Sequence, residues 1–118
     1  MSNDEQHFTV RLSSNCLVIT LQGSLSIQHI DVVRQATLDK LHHGSVKAVI
    51  IDLAGVPIID GVEFNALCKI LTMGSLMGAE QMMVGIHAGI ASALVEMDLD
   101  FSQVTHAHTV DDALAMIN

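Results

Sequence analysis

In the stretch IIDGVEFNALCKIL, residues 58–71, an apolar run ends in an acid and a helical pattern begins at once. Asp60 and Glu63 stand three residues apart, the spacing of a capping box with Asp in place of the usual Ser or Thr. The Asp60 carboxylate would accept from an amide of the first turn, while Glu63 reaches back to the Asp60 N–H. Gly61 would then be the first helical residue, with no side chain where a helix entrance faces solvent. Asp52 and Asp60 bracket the loop that follows an apolar run, at a strand end where open α/β sheets bind ligands. That loop has no Gly-Lys-Ser phosphate signature, and no Lys or Arg lies close to it. A nucleophile paired with a base is also missing from the sequence around it. The two acids are therefore read as securing a loop and a helix cap.

Other reactive side chains are weaker candidates. His106 and His108 in HAH would point the same way on a strand and, with His87 or the His42–His43 pair, could hold zinc. The spacing is loose and places no Cys beside them, so exposed or sheet-packed histidines are favoured over a metal. Cys16 and Cys68 could pair, but both sit inside apolar runs and are read as buried free thiols. Thr72 and Ser75 carry hydroxyls on the same helix as Gly61, though away from its entrance. The seven Met fall mostly in apolar stripes and are read as core filling.

The elements that must position these residues follow from periodicity. Thr9–Leu12 and Cys16–Gln22 read as strands around an SSN turn, the second alternating Leu17, Ile19 and Leu21 against Val18 and Thr20. Ser26 caps a helix to about His43, with Ile27, Ile30, Val33, Thr37 and Leu41 on one face and Gly44 as the stop. Residues 47–53, KAVIIDL, form a continuous apolar run, as a strand buried on both faces would. A second helix fills roughly 61–78. AEQMMVGI is a further strand, 89–98 a short helix, QVTHAHT a last strand, and VDDALAMIN a last helix perched on a Thr109 cap. Strands separated by helices imply parallel pairing with helical crossovers, and the first two strands an antiparallel hairpin at the edge. The expectation is one α/β domain over 1–118, a mixed, mostly parallel sheet of about five strands flanked by about four helices. Residues 1–7 are expected to form a flexible tail.

With 118 residues, half of them hydrophobic, no Trp or Tyr and three Phe, the core must be aliphatic. A formal charge of −8 argues against nucleic acid or an anionic membrane surface and suits a basic protein partner. MSNDEQH is unlike a signal peptide, and no apolar run approaches a membrane span. A soluble, cytoplasmic chain is expected. On the second helix, Leu67, Ile70, Leu71, Gly74, Met77 and Gly78 share the face assigned to the sheet, the two glycines allowing close approach. Asn65, Lys69 and Thr72 lie opposite, flanked by Val62, Met73 and Leu76, an apolar rim around a polar strip that reads as a docking surface.

NCLVITLQGSL, IDLAGVPIID, TMGSLMGAE, GIHAGIASALVEMDLDFSQV and the TVDDAL ending together resemble the STAS domain, the fold of bacterial anti-sigma factor antagonists. The likeness covers nearly the whole chain and is nearest the stressosome type, RsbS first and the RsbR STAS domain next. It implies a non-catalytic scaffold, without a cofactor, that binds and sequesters an RsbT-like GHKL-type serine/threonine kinase. It further implies assembly with RsbR-like paralogues into a homo- or hetero-oligomer. The resemblance places partner binding at Ile59, Asp60, Gly61, Val62, Glu63, Asn65, Lys69, Thr72 and Leu76. In that family the residue after the IID Asp is a phosphorylated Ser or Thr; here it is Gly61. The second acceptor of RsbR-type proteins falls on Val84, also without a hydroxyl. A phosphoryl group at residue 61 would set about −1.5 to −2 charges on the positive end of the helix and beside two acids, switching any surface docked there. Without a hydroxyl that switch is missing. A SpoIIAA-like antagonist binding one anti-sigma kinase directly and a ligand-binding or transport-associated STAS module remain the alternatives.

Overall fold

Ser14 and Asn15 both take positive φ, 51° and 65°, the requirement of a two-residue turn whose twist matches the strands it joins. They link β1 (Phe8–Ser13) to β2 (Cys16–Gln22) as an antiparallel hairpin. The computed structural model describes residues 8–97 and 102–117; the expected tail at 1–7 lies outside them. After the hairpin come α1 (Ile27–Leu41), β3 (Ala48–Gly55), α2 (Gly61–Leu76), β4 (Glu80–Val84), α3 (Ala88–Glu96), β5 (Thr105–Ala107) and α4 (Val110–Ile117). The five strands pair in the order β1-β2-β3-β4-β5, and every neighbour after the hairpin is parallel. Among the described residues no helix is long and apolar enough to cross a membrane.

The continuous apolar runs are explained by burial on both faces. Leu17, Ile19, Leu21, Val49, Ile51, Leu53 and Met83 point to one side, where Ile30 and Val33 of α1 and Phe64, Leu67, Ile70 and Leu71 of α2 meet them. Cys16, Val18, Ala48, Ile50, Met82 and Val84 point to the other, covered by Val110, Ala113, Leu114 and Ile117 of α4.

Several boundaries depart from expectation for local reasons. The α1 helix ends at Leu41 on His42 in right-handed geometry, its N–H bonded to Leu38. Gly44 does not take positive φ, so it is not a left-handed stop. Ile27, expected on the buried face, is 44% exposed because it opens the helix. In α2 the sheet-facing stripe begins one turn earlier than expected, with Phe64, and ends earlier too: Met77 is half-exposed. The chain leaves the helix through Gly78 at φ +94°. Ala79 N–H donates to Gly74 O and Gly78 N–H to Ser75 O, a Schellman closure. Gly78 thus serves conformation, whereas Gly74 serves proximity: a Cβ there would lie 2.7 Å from Val49 Cγ2. The β5 strand has three residues rather than the seven of QVTHAHT. The Thr109 hydroxyl accepts from Asp112 N–H at 3.1 Å, capping α4 as expected.

Candidate functional site

The entrance of α2 is built as the carboxylate spacing implied. Asp60 sits in extended backbone and its Oδ1 accepts from Glu63 N–H at 2.8 Å. Glu63 Oε1 accepts from Asp60 N–H at 3.2 Å, and Phe64 N–H bonds Asp60 O at 2.9 Å to start the ladder. A cap of this kind contributes about 1 kcal/mol. It also sets two negative charges at the positive end of the helix.

Gly61 follows the cap and is half-buried. Its φ lies outside the positive range occupied by Gly23, Gly78 and Gly85. A Cβ on Gly61 would meet Met97 Sδ at 3.7 Å and Cγ at 3.9 Å, ordinary van der Waals contacts. Neither backbone nor space demands glycine here. The contrast is Gly85, at φ +74°, where a Cβ would sit 2.6 Å from Ala54 N. A Cβ at position 61 would therefore be accommodated without strain.

Around this entrance the surface is apolar as well as acidic. Val62 is 66% and Leu76 84% exposed, and Asn65, Lys69 and Thr72 are exposed between them. At about 100° per residue these positions and half-buried Met73 fall on one strip of α2. The Thr72 hydroxyl donates to Cys68 O at 3.0 Å. Ile59 requires a correction. It is 3% exposed and belongs to the core, so its side chain is not part of the surface. The extended chain alternates there, and it is Ile58, 68% exposed, that faces outward. Val84 is the buried last residue of β4, packed toward α4.

The preceding loop is pinned at several points. Asp52 Oδ1 accepts from Ala54 N–H at 2.9 Å, so both bracketing acids serve backbone. Gly23 N–H reaches Gly55 O at 2.9 Å, and Val56 N–H bonds Leu53 O at 3.0 Å. His87 Nε2 lies 2.7 Å from Val56 O. A shallow cavity of about 330 Å³ beside the entrance is lined by Ser24, Leu25, Ile58, Ile59, Asp60 and Glu63. His106 and His108 instead line an open groove of about 470 Å³ with Ile86, Leu94 and Val95. His43 Nδ1, just past the end of α1, bonds Asp39 O in its last turn. No group of three metal-ligating side chains is brought together among the described residues. Both cysteines are free thiols, Cys16 buried and Cys68 half-buried. Loss of solvent raises the pKa of each, with Lys47 partly offsetting it at Cys16.

The STAS domain family model matches residues 7–113. The chain belongs to the STAS domain family. It is 26% identical over 98 residues to the RsbT co-antagonist protein RsbRD of Bacillus subtilis, a match that covers 83% of this chain and 35% of that protein. The STAS chain thus spans about a third of that relative's length. A serine-to-glutamate variant of Moorella thermoacetica RsbS superposes with a TM-score of 0.79 at 18% identity, covering 95% of each chain. A chain from the structure describing the molecular architecture of the stressosome superposes with a TM-score of 0.77 at 19% identity, over 92% of this chain and 95% of that one. These superpositions establish the shared fold. That relative from Bacillus subtilis is, by its name, a co-antagonist of RsbT.

Proposed function

We propose that this STAS protein is a non-catalytic, cytoplasmic scaffold resembling RsbS, which docks and sequesters an RsbT-like serine/threonine kinase within a stressosome-like assembly that includes RsbR-like paralogues. One observation carries the reading. The α2 entrance presents exposed Ile58 and Val62 beside Asp60 and Glu63, and a side chain at position 61 would fit but is missing. Apolar anchors beside acids suit a partner with an apolar contact ringed by basic groups. In a phosphorylatable relative, a phosphoryl group at this place would be repelled by Asp60 and Glu63 and would alter the docked surface. Here Gly61 keeps the charge of that surface constant, and the protein holds its kinase irrespective of ATP. Val84 offers no second switch, lacking a hydroxyl and being buried.

Titration calorimetry of the cognate kinase against wild type and a Val62→Asp variant tests the docking role. Wild type is expected to bind, and the variant to lose tenfold or more in affinity while keeping its melting temperature, since Val62 is exposed. Equal binding by both would overturn the placement of the interface.

A further inference from the structure

We infer that His87 is the positioning residue of the docking loop: one neutral imidazole, protonated on Nε2, ties the β3–α2 loop to the first turn of α3. The two ring nitrogens have partners of opposite kind. Nε2 is 2.7 Å from Val56 O, an atom that can only accept, so Nε2 carries the proton. Nδ1 is 3.2 Å from Gly89 N, a group that can only donate, so Nδ1 is bare. A single protonation state satisfies both contacts. The imidazolium would set an N–H against the Gly89 N–H, and the other neutral tautomer would fail at both ends.

The tie is closely packed. His87 is the N-cap of α3, with its carbonyl accepting from Ala91 N–H at 2.8 Å. A Cβ on Gly89 would lie 3.0 Å from Pro57 O, so the first turn of α3 rests directly on the loop that His87 holds. Val56 and Ile59 are the buried anchors of that loop, and Pro57 and Ile58 are carried outward between them. Residues 56–60 are therefore fixed at one end by the Val56–His87 bond and at the other by the Asp60–Glu63 box. The outward pose of Ile58 depends on both ends. That this pose matters for a partner rests on the docking role proposed above.

Two substitutions separate the functions combined in His87. His87→Asn keeps an oxygen that can accept from Gly89 N–H, since Asn is a good N-cap, but its side chain is too short for Val56 O. His87→Gln reaches Val56 O with its terminal N–H but caps α3 poorly. Amide exchange at Val56 and Asp60 is expected to accelerate roughly three- to tenfold in His87→Asn, the worth of one hydrogen bond, and to stay near wild type in His87→Gln. Kinase affinity is expected to follow the same order. Nitrogen-15 spectra of the wild-type imidazole at neutral pH are expected to show Nε2 protonated and Nδ1 bare. An Nδ1–H tautomer, an imidazolium, or unchanged exchange in His87→Asn would overturn the inference. A wild-type protein that binds no kinase would refute the docking role alone, because exchange and tautomer judge the tie by themselves.

Discussion

Replacing Gly61 with serine adds a Cβ and a hydroxyl at the first position of α2. The nearest atoms to that Cβ would be Met97 Sδ at 3.7 Å and Cγ at 3.9 Å, the flexible end of a side chain. The backbone at residue 61 is not in the left-handed region, so no strain arises. Glycine costs a helix about 0.5 kcal/mol more than serine, so Gly61→Ser should raise stability by up to that amount. For a domain of this size that corresponds to a melting shift of roughly 2–3 °C upward. The new hydroxyl would stand at the entrance, beside Asp60 and Glu63. Incubated with the cognate kinase and ATP, Gly61→Ser is expected to take up one phosphoryl group and then to release the kinase, as about −1.5 to −2 charges accumulate beside two acids. Gly61→Ala controls for the side chain: equal or greater stability, no phosphate and no release. Calorimetry and intact mass spectrometry read both effects. A serine variant destabilised by more than about 1 kcal/mol would show that the fold needs glycine there, as it does where φ is positive. Gly61 would then be a conformational requirement of the fold and not a missing hydroxyl.

Other outcomes follow from the same geometry. Gly74→Ala forces a Cβ to 2.7 Å from the branched Val49 side chain and should cost about 1–3 kcal/mol in urea denaturation, as overpacking does. Asp60→Ala removes the acceptor for Glu63 N–H and should cost about 1 kcal/mol, with most of it restored by Asp60→Asn. Ile59→Ala, in the core, should lose about 2–5 kcal/mol, whereas Ile58→Asp should leave stability alone and weaken kinase binding. Burial raises the Cys68 thiol above its ordinary range, so Cys68 should alkylate more slowly at pH 8 than cysteine in an unfolded peptide. Because the folded pKa is the higher one, the thiol's stabilising contribution is whole below the unfolded value and fades as pH climbs through the folded one. Cys68→Ala should accordingly flatten the alkaline fall in melting temperature.

The sequence made the layered fold legible because its central strands are buried on both faces, which KAVIIDL and NCLVITL show as continuous apolar runs. The Asp60–Glu63 box was legible because its spacing is local. The misplacements are equally physical. Ile58 and Ile59 are identical in type, and only the extended backbone sends one into the core and the other to solvent. Gly74 and Gly78 share a helix stripe in projection, yet one is held by Val49 and the other by a left-handed turn, a distinction that needs the third dimension. Phe64 continues the buried stripe by one turn and was within reach of the same periodicity. The role of His87 was out of reach, because Val56 lies far from it in sequence and histidine is an uncommon cap. Position 61 shows the converse: the missing side chain is legible in the sequence, but only the backbone and the space around it show that glycine has no conformational need there.

Intact mass of the wild-type protein, taken after incubation with its cognate kinase and ATP and paired with size-exclusion analysis of the same mixture, tests the central claim most directly. An unshifted mass and a kinase that still co-elutes with the protein are expected. A chain carrying one phosphoryl group per molecule, with the kinase set free, would contradict it.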